Sequence, residues 1–220
     1  MLTRVTEKNL ASRSRAVQSE YRKRQLIDST INCIDELGLS QTTMARIAKH
    51  AGVSQGIVVF HFQTKEVLFA QTLRRLSHDY SACWKNAYDQ ADPNPVSRLC
   101  ALVKAVFSLA ICNSKLISVW YAFWGDSRSR LLYMSLCGQH DIAYTSRLLS
   151  QCQALELTGT TKLNAQTAAL SIEGMIAGLW QNFLIGGPGI KRREAVNAVF
   201  KFLQLIYPDY QAEIERFSER

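Results

Sequence analysis

Residues 43–62, TMARIAKHAGVSQGIVVFHF, are the stretch whose residue types and spacing point most directly to chemistry. Small, turn-forming and apolar positions fall where two short crossing helices would need them. Ala48 is small where the second helix would cross the first. Gly52 supplies the backbone freedom of a tight interhelical turn. Ile47, Val53 and Val58 would make the little core that fixes the crossing angle. Side chains from Ser54 to Val59 then stand at the start of the second helix, where they can reach base edges in a major groove. Helix starts at Thr43 and Ser54 offer backbone N–H groups suited to phosphates. An ordinary helical hairpin also takes Ala and Gly at these places. The joint match, behind a basic segment, favours double-stranded DNA as the partner.

A second constellation is Trp120-Tyr121-Ala122-Phe123-Trp124-Gly125-Asp126. Trp120, Phe123 and Trp124 stand at i, i+3 and i+4, so three large rings share one helical face. Phe107, Tyr133 and Trp180 could approach from other helices, with Glu173 or Asp126 as the nearby acid. Rings around a hollow beside an anion suit a quaternary ammonium ligand, through cation–π attraction. Periodicity alone favours plain core packing for the same rings.

Other chemistries find no support. Cys33, Cys83, Cys100, Cys112, Cys137 and Cys152 contain no CxxC, and neither zinc nor thioredoxin-like spacing. The residues His50, His61, His78 and His140 form no ligand pattern. No GxSxG, Walker or dinucleotide-binding glycine pattern occurs. No metal and no cofactor are therefore expected, and the chain reads as a binding protein rather than an enzyme.

The elements that must position these residues are helical, because no stretch alternates long enough for a strand. Ile27, Ile31, Ile34 and Leu37 make one apolar stripe that stops at Gly38. Thr42 or Thr43 can cap a short helix and Ser54 the next. Thr64 caps a longer helix carrying Leu68, Leu73, Leu76 and Tyr80, which ends before Asp92-Pro93-Asn94-Pro95. Further helices are predicted at 96–112, 115–125, 129–153, 164–186 and 191–206, with Gly186-Gly187-Pro188-Gly189 separating the last two. The predicted organisation is a basic arm at 1–18, a three-helix DNA-binding domain at 19–64, a larger helical domain for effector binding and dimerisation at 65–210, and a tail at 211–220.

Charge follows the same division. The chain has 220 residues and a net charge of +8. Residues 1–75 hold 12 basic and 6 acidic side chains, and seven of the basic ones lie in the first 24. A basic arm before a nearly neutral body suggests a polyanion partner, with the arm adding salt-dependent affinity. No window approaches 18 consecutive apolar residues, so no transmembrane helix and no membrane partner are expected. The N-terminal segment lacks the apolar middle of a signal peptide, which predicts a cytoplasmic protein.

The motif with its flanks resembles the DNA-binding domain of the TetR family of repressors, whose usual string is close to T-x-x-x-I-A-x-x-A-G-V-S-x-G-x-L-Y-x-(H/Y)-F-x-x-K. This sequence matches at Thr43, Ile47, Ala48, Ala51, Gly52, Val53, Ser54, Gly56, His61, Phe62 and Lys65. Val58 replaces Leu, and Val59 replaces a tyrosine that commonly grips a DNA phosphate. The resemblance implies that Thr43, Ser54, His61 and Lys65 hold phosphates and that Gln55, Gly56 and Ile57 face bases. Gln55 could pair bidentately with adenine. Val59 and Phe60 complete the DNA-facing set, and Arg46 is a further phosphate candidate. The implied fold is all-α and TetR-like, with about nine helices.

In the body, W-x-A-F-W at Trp120–Trp124 and G-L-W at Gly178–Trp180 are similar to the choline-responsive BetI-type branch of that family. This implies a repressor of glycine-betaine synthesis genes that choline releases from DNA, with Phe107, Trp120, Tyr121, Phe123, Trp124, Asp126, Tyr133, Glu173 and Trp180 as candidate ligand contacts. An unrelated apolar ligand or a protein partner is the alternative effector. Residues 164–206 are expected to make a homodimer, through Ala168, Ile172, Met175, Ile176, Leu179 and Phe183 and through Val196, Val199, Phe200, Leu203 and Ile206. Such a dimer would read a palindromic operator. The same side chains could instead cover their own core.

Overall fold

The computed structural model describes residues 2–185, 189 and 191–219, with side chains from residue 15 to residue 218. These residues form ten α-helices, one 3-10 turn and no strand, in agreement with the helical period of the sequence. The break expected at Gly186-Gly187-Pro188 lies outside the described residues, as do the arm's side chains before Arg15. Two compact units divide the chain, residues 1–72 and 73–220.

In the first unit, α1 (Leu2–Gln41) takes in residues 2–18 of the expected arm and is kinked at Gly38. Leu26, Ile27, Ile31 and Ile34 bury its apolar stripe, while Leu37 at the predicted end is exposed. Gly38, with φ of 74°, interrupts the helical dihedrals there, a conformation glycine adopts without steric cost. The last turn is tied down twice. Thr42 Oγ1 donates to the Gly38 carbonyl at 2.7 Å and Lys65 Nζ to the Leu39 carbonyl at 3.0 Å.

Two short helices follow, α2 (Met44–His50) and α3 (Gln55–Phe62). Thr43 caps α2 by accepting from the Arg46 N–H at 3.3 Å. The turn between them needs Gly52 at φ of 66°. Ile47, Ala48, Ala51, Val58 and Phe62 are buried at the crossing; Val53 is only half-buried. Gln25 on α1 donates to the Ala51 carbonyl at 3.0 Å and so fixes the turn to the first helix. Helix α4 (Lys65–Gln90) begins in this unit, with Leu68 and Phe69 buried, and continues into the second.

In the second unit, α5 (Pro95–Val106) starts on an Asn94 cap with proline at its first position, where the missing N–H costs nothing. It stops at Val106 rather than at 112, because the chain turns through Phe107 to Asn113 and Asn113 caps α6 (Ser114–Gly125). Asp126 caps α7 (Ser127–Thr158), accepting from the Ser129 N–H at 2.8 Å. Helices α8 (Ala165–Ile185) and α9 (Arg192–Ile206) follow. Residues 211–219, expected as tail, are the helix α10 (Gln211–Glu219), which packs on α5 and α9 and buries Ile214. Helix α7 packs against α5, α6 and α8 around Leu99, Leu102, Ile117, Phe123, Leu148 and Ile172.

By length and composition α8 could cross a membrane, with 21 residues and a mean hydropathy of 1.2 over its apolar window. Here it packs on α6, α7 and α9. Ala168, Ile172 and Ile176 face this core, as do Val199, Phe200, Leu203 and Ile206 of α9. Those seven side chains were expected at a dimer face, and the unit's own core occupies them instead. The exposed positions of α8 include Leu170, Gly174, Gly178 and Ile185, and those of α9 include Leu205.

Candidate functional site

The first unit carries the residues expected to face DNA. Val58 and Phe62 anchor α3 inward, which turns Gln55, Gly56, Ile57, Val59 and Phe60 outward, all exposed. Phe60 is 80% exposed, an unusual cost for a large ring unless it meets another surface. Ser54 occupies the cap position of α3 but makes no side-chain cap bond. Thr43 is exposed at the start of α2, and Arg46 reaches back to the Gln41 carbonyl at 2.8 Å while staying exposed.

Two of the expected phosphate contacts also have partners within the unit. Lys65 spends its ammonium on the Leu39 carbonyl and lies 4.9 Å from the Phe69 ring centroid. That is the role of a cation closing a helix C-terminus, where carbonyls lack intrahelical partners. His61 is half-buried and edge-on to Phe60, with ring centroids 5.1 Å apart. Burial lowers its pKa, helped by the positive charges of Lys23 and Arg22.

The basic segment before Gln25 also has a defined place. Arg15, Gln18, Ser19 and Arg22 form one wall of an open groove whose other wall is Ser54, Gly56, Ile57, Phe60 and His61 of the α3 region. The steps from 15 to 18 or 19 and on to 22 put these side chains on one helical face, a signal present in the sequence. Residues 15–22 are thus a helical stretch whose polar face borders the α3 region.

A cavity of about 320 Å³ in the second unit gathers side chains from α4, α6, α7 and α8. Of the residues expected to contact a ligand, Trp120, Tyr121, Trp124, Tyr133, Glu173 and Trp180 line it. Trp120 and Trp124 stack at 6.3 Å and 21°, and Tyr133 stands edge-on to both at 5.7 Å, making a continuous aromatic wall. Tyr121 donates to the Ala177 carbonyl at 3.2 Å. Trp180 donates to the Val106 carbonyl at 3.2 Å, which fixes its ring. Tyr80 meets Trp180 at 6.4 Å and Tyr144 at 6.0 Å, forming a second ring cluster on the same cavity.

Three expected contacts do not line it. Phe107 and Phe123 are fully buried core. Phe123 shares a helix with the tryptophans, but its ring is consumed by packing inside the unit. Asp126 is exposed and caps α7; hydrogen bonds from Ser129 lower its pKa.

The acid that the cavity does hold, beside Glu173, is Asp141. Its Oδ2 accepts from the Tyr133 hydroxyl at 2.5 Å. Burial raises its pKa, while the Tyr133 hydrogen bond and the His140 charge act the other way. Asp141, Tyr144, Tyr80, Ser77, Thr145, Ile176 and Ala177 all line the cavity and were not read from the sequence. The signal for two of them was there: Tyr133, Cys137, Asp141 and Tyr144 fall on one face of α7 at steps of 4, 4 and 3. Glu173 Oε1 is buried and has no hydrogen-bond partner among the described residues. Among the described residues that line the cavity there is no Lys, Arg or His. Ring faces beside carboxylates are chemically able to stabilise a positively charged organic group. Among the described residues no group of His, Cys, Asp or Glu could hold a metal ion.

Comparison with known proteins gives the same two-part division. Residues 26–72 match the family described as bacterial regulatory proteins of the tetR family, and residues 95–208 match the BetI-type transcriptional repressor C-terminal family. The chain is 33% identical over 187 residues to the HTH-type transcriptional regulator BetI of Burkholderia ambifaria, covering 85% of this chain and 94% of that protein. Among solved structures, a transcriptional regulator from Pseudomonas aeruginosa PAO1 superposes with a TM-score of 0.73 at 24% identity, over 89% of this chain and 94% of the other. A Saccharomonospora viridis protein crystallised in complex with choline gives 0.70 at 20% identity, over 84% and 96%. At these identities the structural likeness is one of fold.

Proposed function

The chain belongs to the TetR family of transcriptional regulators, and from that premise we propose that it is a repressor that a quaternary ammonium compound of the choline type releases from its operator. The cavity carries this reading. It combines an aromatic wall, two carboxylates and no cation of its own, and its volume of about 320 Å³ is small enough for a compact amine. Ligand pockets generally run from roughly 300 to 1,000 Å³, so a long acyl ligand would be poorly accommodated. Choline in the distantly related Saccharomonospora viridis structure supports the same ligand class.

Gln55, Gly56 and Ile57 of α3 read bases in this proposal, with Val59 and Phe60 against the groove wall. Ser54, Thr43, Arg46 and His61 meet phosphates. The regulated genes are those of glycine-betaine synthesis, and the protein acts in the cytoplasm as a homodimer on a palindromic site. The exposed face of Leu170, Gly174, Gly178 and Ile185 on α8, with Leu205 on α9, is the surface that a second copy covers. Nothing in the cavity or the reading surface calls for a catalytic role.

Release follows from the continuity of α4. Ser77 and Tyr80 line the cavity, and the same unbroken helix begins at Lys65, which closes the end of α1. A ligand that favours one position of Tyr80 thereby biases a rod rooted in the DNA-binding unit. A tenfold to hundredfold loss of operator affinity requires roughly 1.4–2.8 kcal/mol of coupling, and DNA must weaken ligand binding by the same factor. The test is a binding assay on the intergenic DNA upstream of the protein's own gene, with and without a panel of amines. Binding that millimolar choline and related amines leave unchanged would overturn the ligand; no binding to that DNA would overturn the operator assignment.

A further inference from the structure

We infer that Glu173 selects among quaternary ammonium compounds by accepting a hydrogen bond from a hydroxyl or amino group at the ligand's far end, an inference that rests on the reading of the cavity as a quaternary ammonium site. The two carboxylates are not equivalent. Asp141 already receives the Tyr133 hydroxyl, beside the wall of Trp120 and Trp124. A trimethylammonium group has no N–H to donate and needs only ring faces with a negative charge nearby. The Asp141 end supplies both without leaving that carboxylate short of a donor.

Glu173 faces the opposite requirement. Its Oε1 is buried, and among the described residues no group donates to it. Glu173 lies on the face of α8 that carries Trp180, two turns on, and the Trp180 ring meets Tyr80 in the second ring cluster; its charge also acts, after burial, to push the Tyr144 hydroxyl up. A buried carboxylate oxygen without a donor is unfavourable, and a methyl-covered cation cannot relieve it. A directed O–H or N–H can. The occupant that satisfies both ends carries a diffuse cation at one end and a donor at the other. Losing the donor end leaves Glu173 unpaired, so sites built this way reject analogues that lack the group more strongly than they reject small changes in bulk.

The experiment is a calorimetric titration of the full chain with four probes: choline, its O-methyl ether, propyltrimethylammonium, and 2-aminoethyltrimethylammonium. Choline and the amino analogue should bind roughly tenfold or more tighter than the ether and the propyl compound, as a hydrogen bond to a charged acceptor implies. In Glu173→Ala the four affinities should converge. Glu173→Gln, which keeps the shape and one acceptor oxygen, should narrow the gap, and operator binding checks that both variants are folded. Asp141→Asn should weaken all four alike and preserve their order. Equal binding of all four to the unaltered protein, or a preference that survives in both Glu173 variants, overturns the role of Glu173 while leaving the ammonium site standing. No binding of any probe at millimolar concentration removes the ammonium site itself, and the inference with it.

Discussion

Tyr133 donates its hydroxyl to Asp141, eight residues further along the same helix, and the pair faces the cavity behind the ring wall of Trp120 and Trp124. The bond orients a half-buried carboxylate toward a space that no Lys, Arg or His among the described residues lines. Such an arrangement stabilises a cationic guest at some expense to the empty protein, because burial disfavours the charged acid.

Asp141→Asn should therefore raise the melting temperature of the ligand-free protein and weaken choline binding by tenfold or more. The sign follows from the direction of the shift. Burial raises the Asp141 pKa above its ordinary 3.8, so the folded state holds the proton more tightly than the unfolded chain. Stability from this group is present below 3.8 and is lost as pH rises through the raised value. Thermal melts should show the variant's advantage at pH 7 and little of it at pH 3. An advantage of equal size at both pH values would assign it to something other than ionisation.

Trp124 is the half-buried member of the wall, whereas Trp120 is buried. Trp124→Ala should weaken choline binding about 2- to 30-fold, the span of roughly 0.5–2 kcal/mol for a cation–π contact. Operator affinity without ligand should stay unchanged. Tryptophan fluorescence titration alongside an operator gel shift measures both, and a variant that loses operator binding would speak for a folding role.

Lys65 closes the end of α1 through the Leu39 carbonyl and lies over the Phe69 ring. Lys65→Met should cost about 1–2 kcal/mol of stability from the lost hydrogen bond and cation–π contact. The dependence of operator affinity on salt should keep its slope. A residue that neutralises a phosphate would instead lower that slope by about one unit. The two measurements separate the structural role from the phosphate role that the family resemblance implies.

His61 offers a pH readout. Burial and the nearby Lys23 and Arg22 lower its pKa in the free protein, and a DNA phosphate would favour its charged form. Operator binding should then take up a proton, so affinity should increase as pH falls through about 6.5 and below. His61→Gln should flatten that dependence. In the free protein the same shift makes the unfolded chain bind more protons below 6.5, so stability should decline as pH falls there.

The helix-turn-helix was legible in the sequence because its determinants are local. Ala48, Gly52 and Val58 lie within eleven residues, and a turn geometry plus a helical period fixes where their side chains point. The helical body and the presence of rings near a hollow were legible for the same reason, since Trp120 and Trp124 share a face by spacing alone. Tertiary structure decided which helices look at one another. The cavity exists where α4, α6, α7 and α8 leave a space, and no single-helix period reveals such a space. That is why Asp141 on α7, not Asp126 at its cap, stands with Glu173, and why Phe123 is core although its neighbours line the hollow. It also turned Lys65 toward the Leu39 carbonyl, since the residue that closes a helix end is chosen by where a distant segment of chain returns.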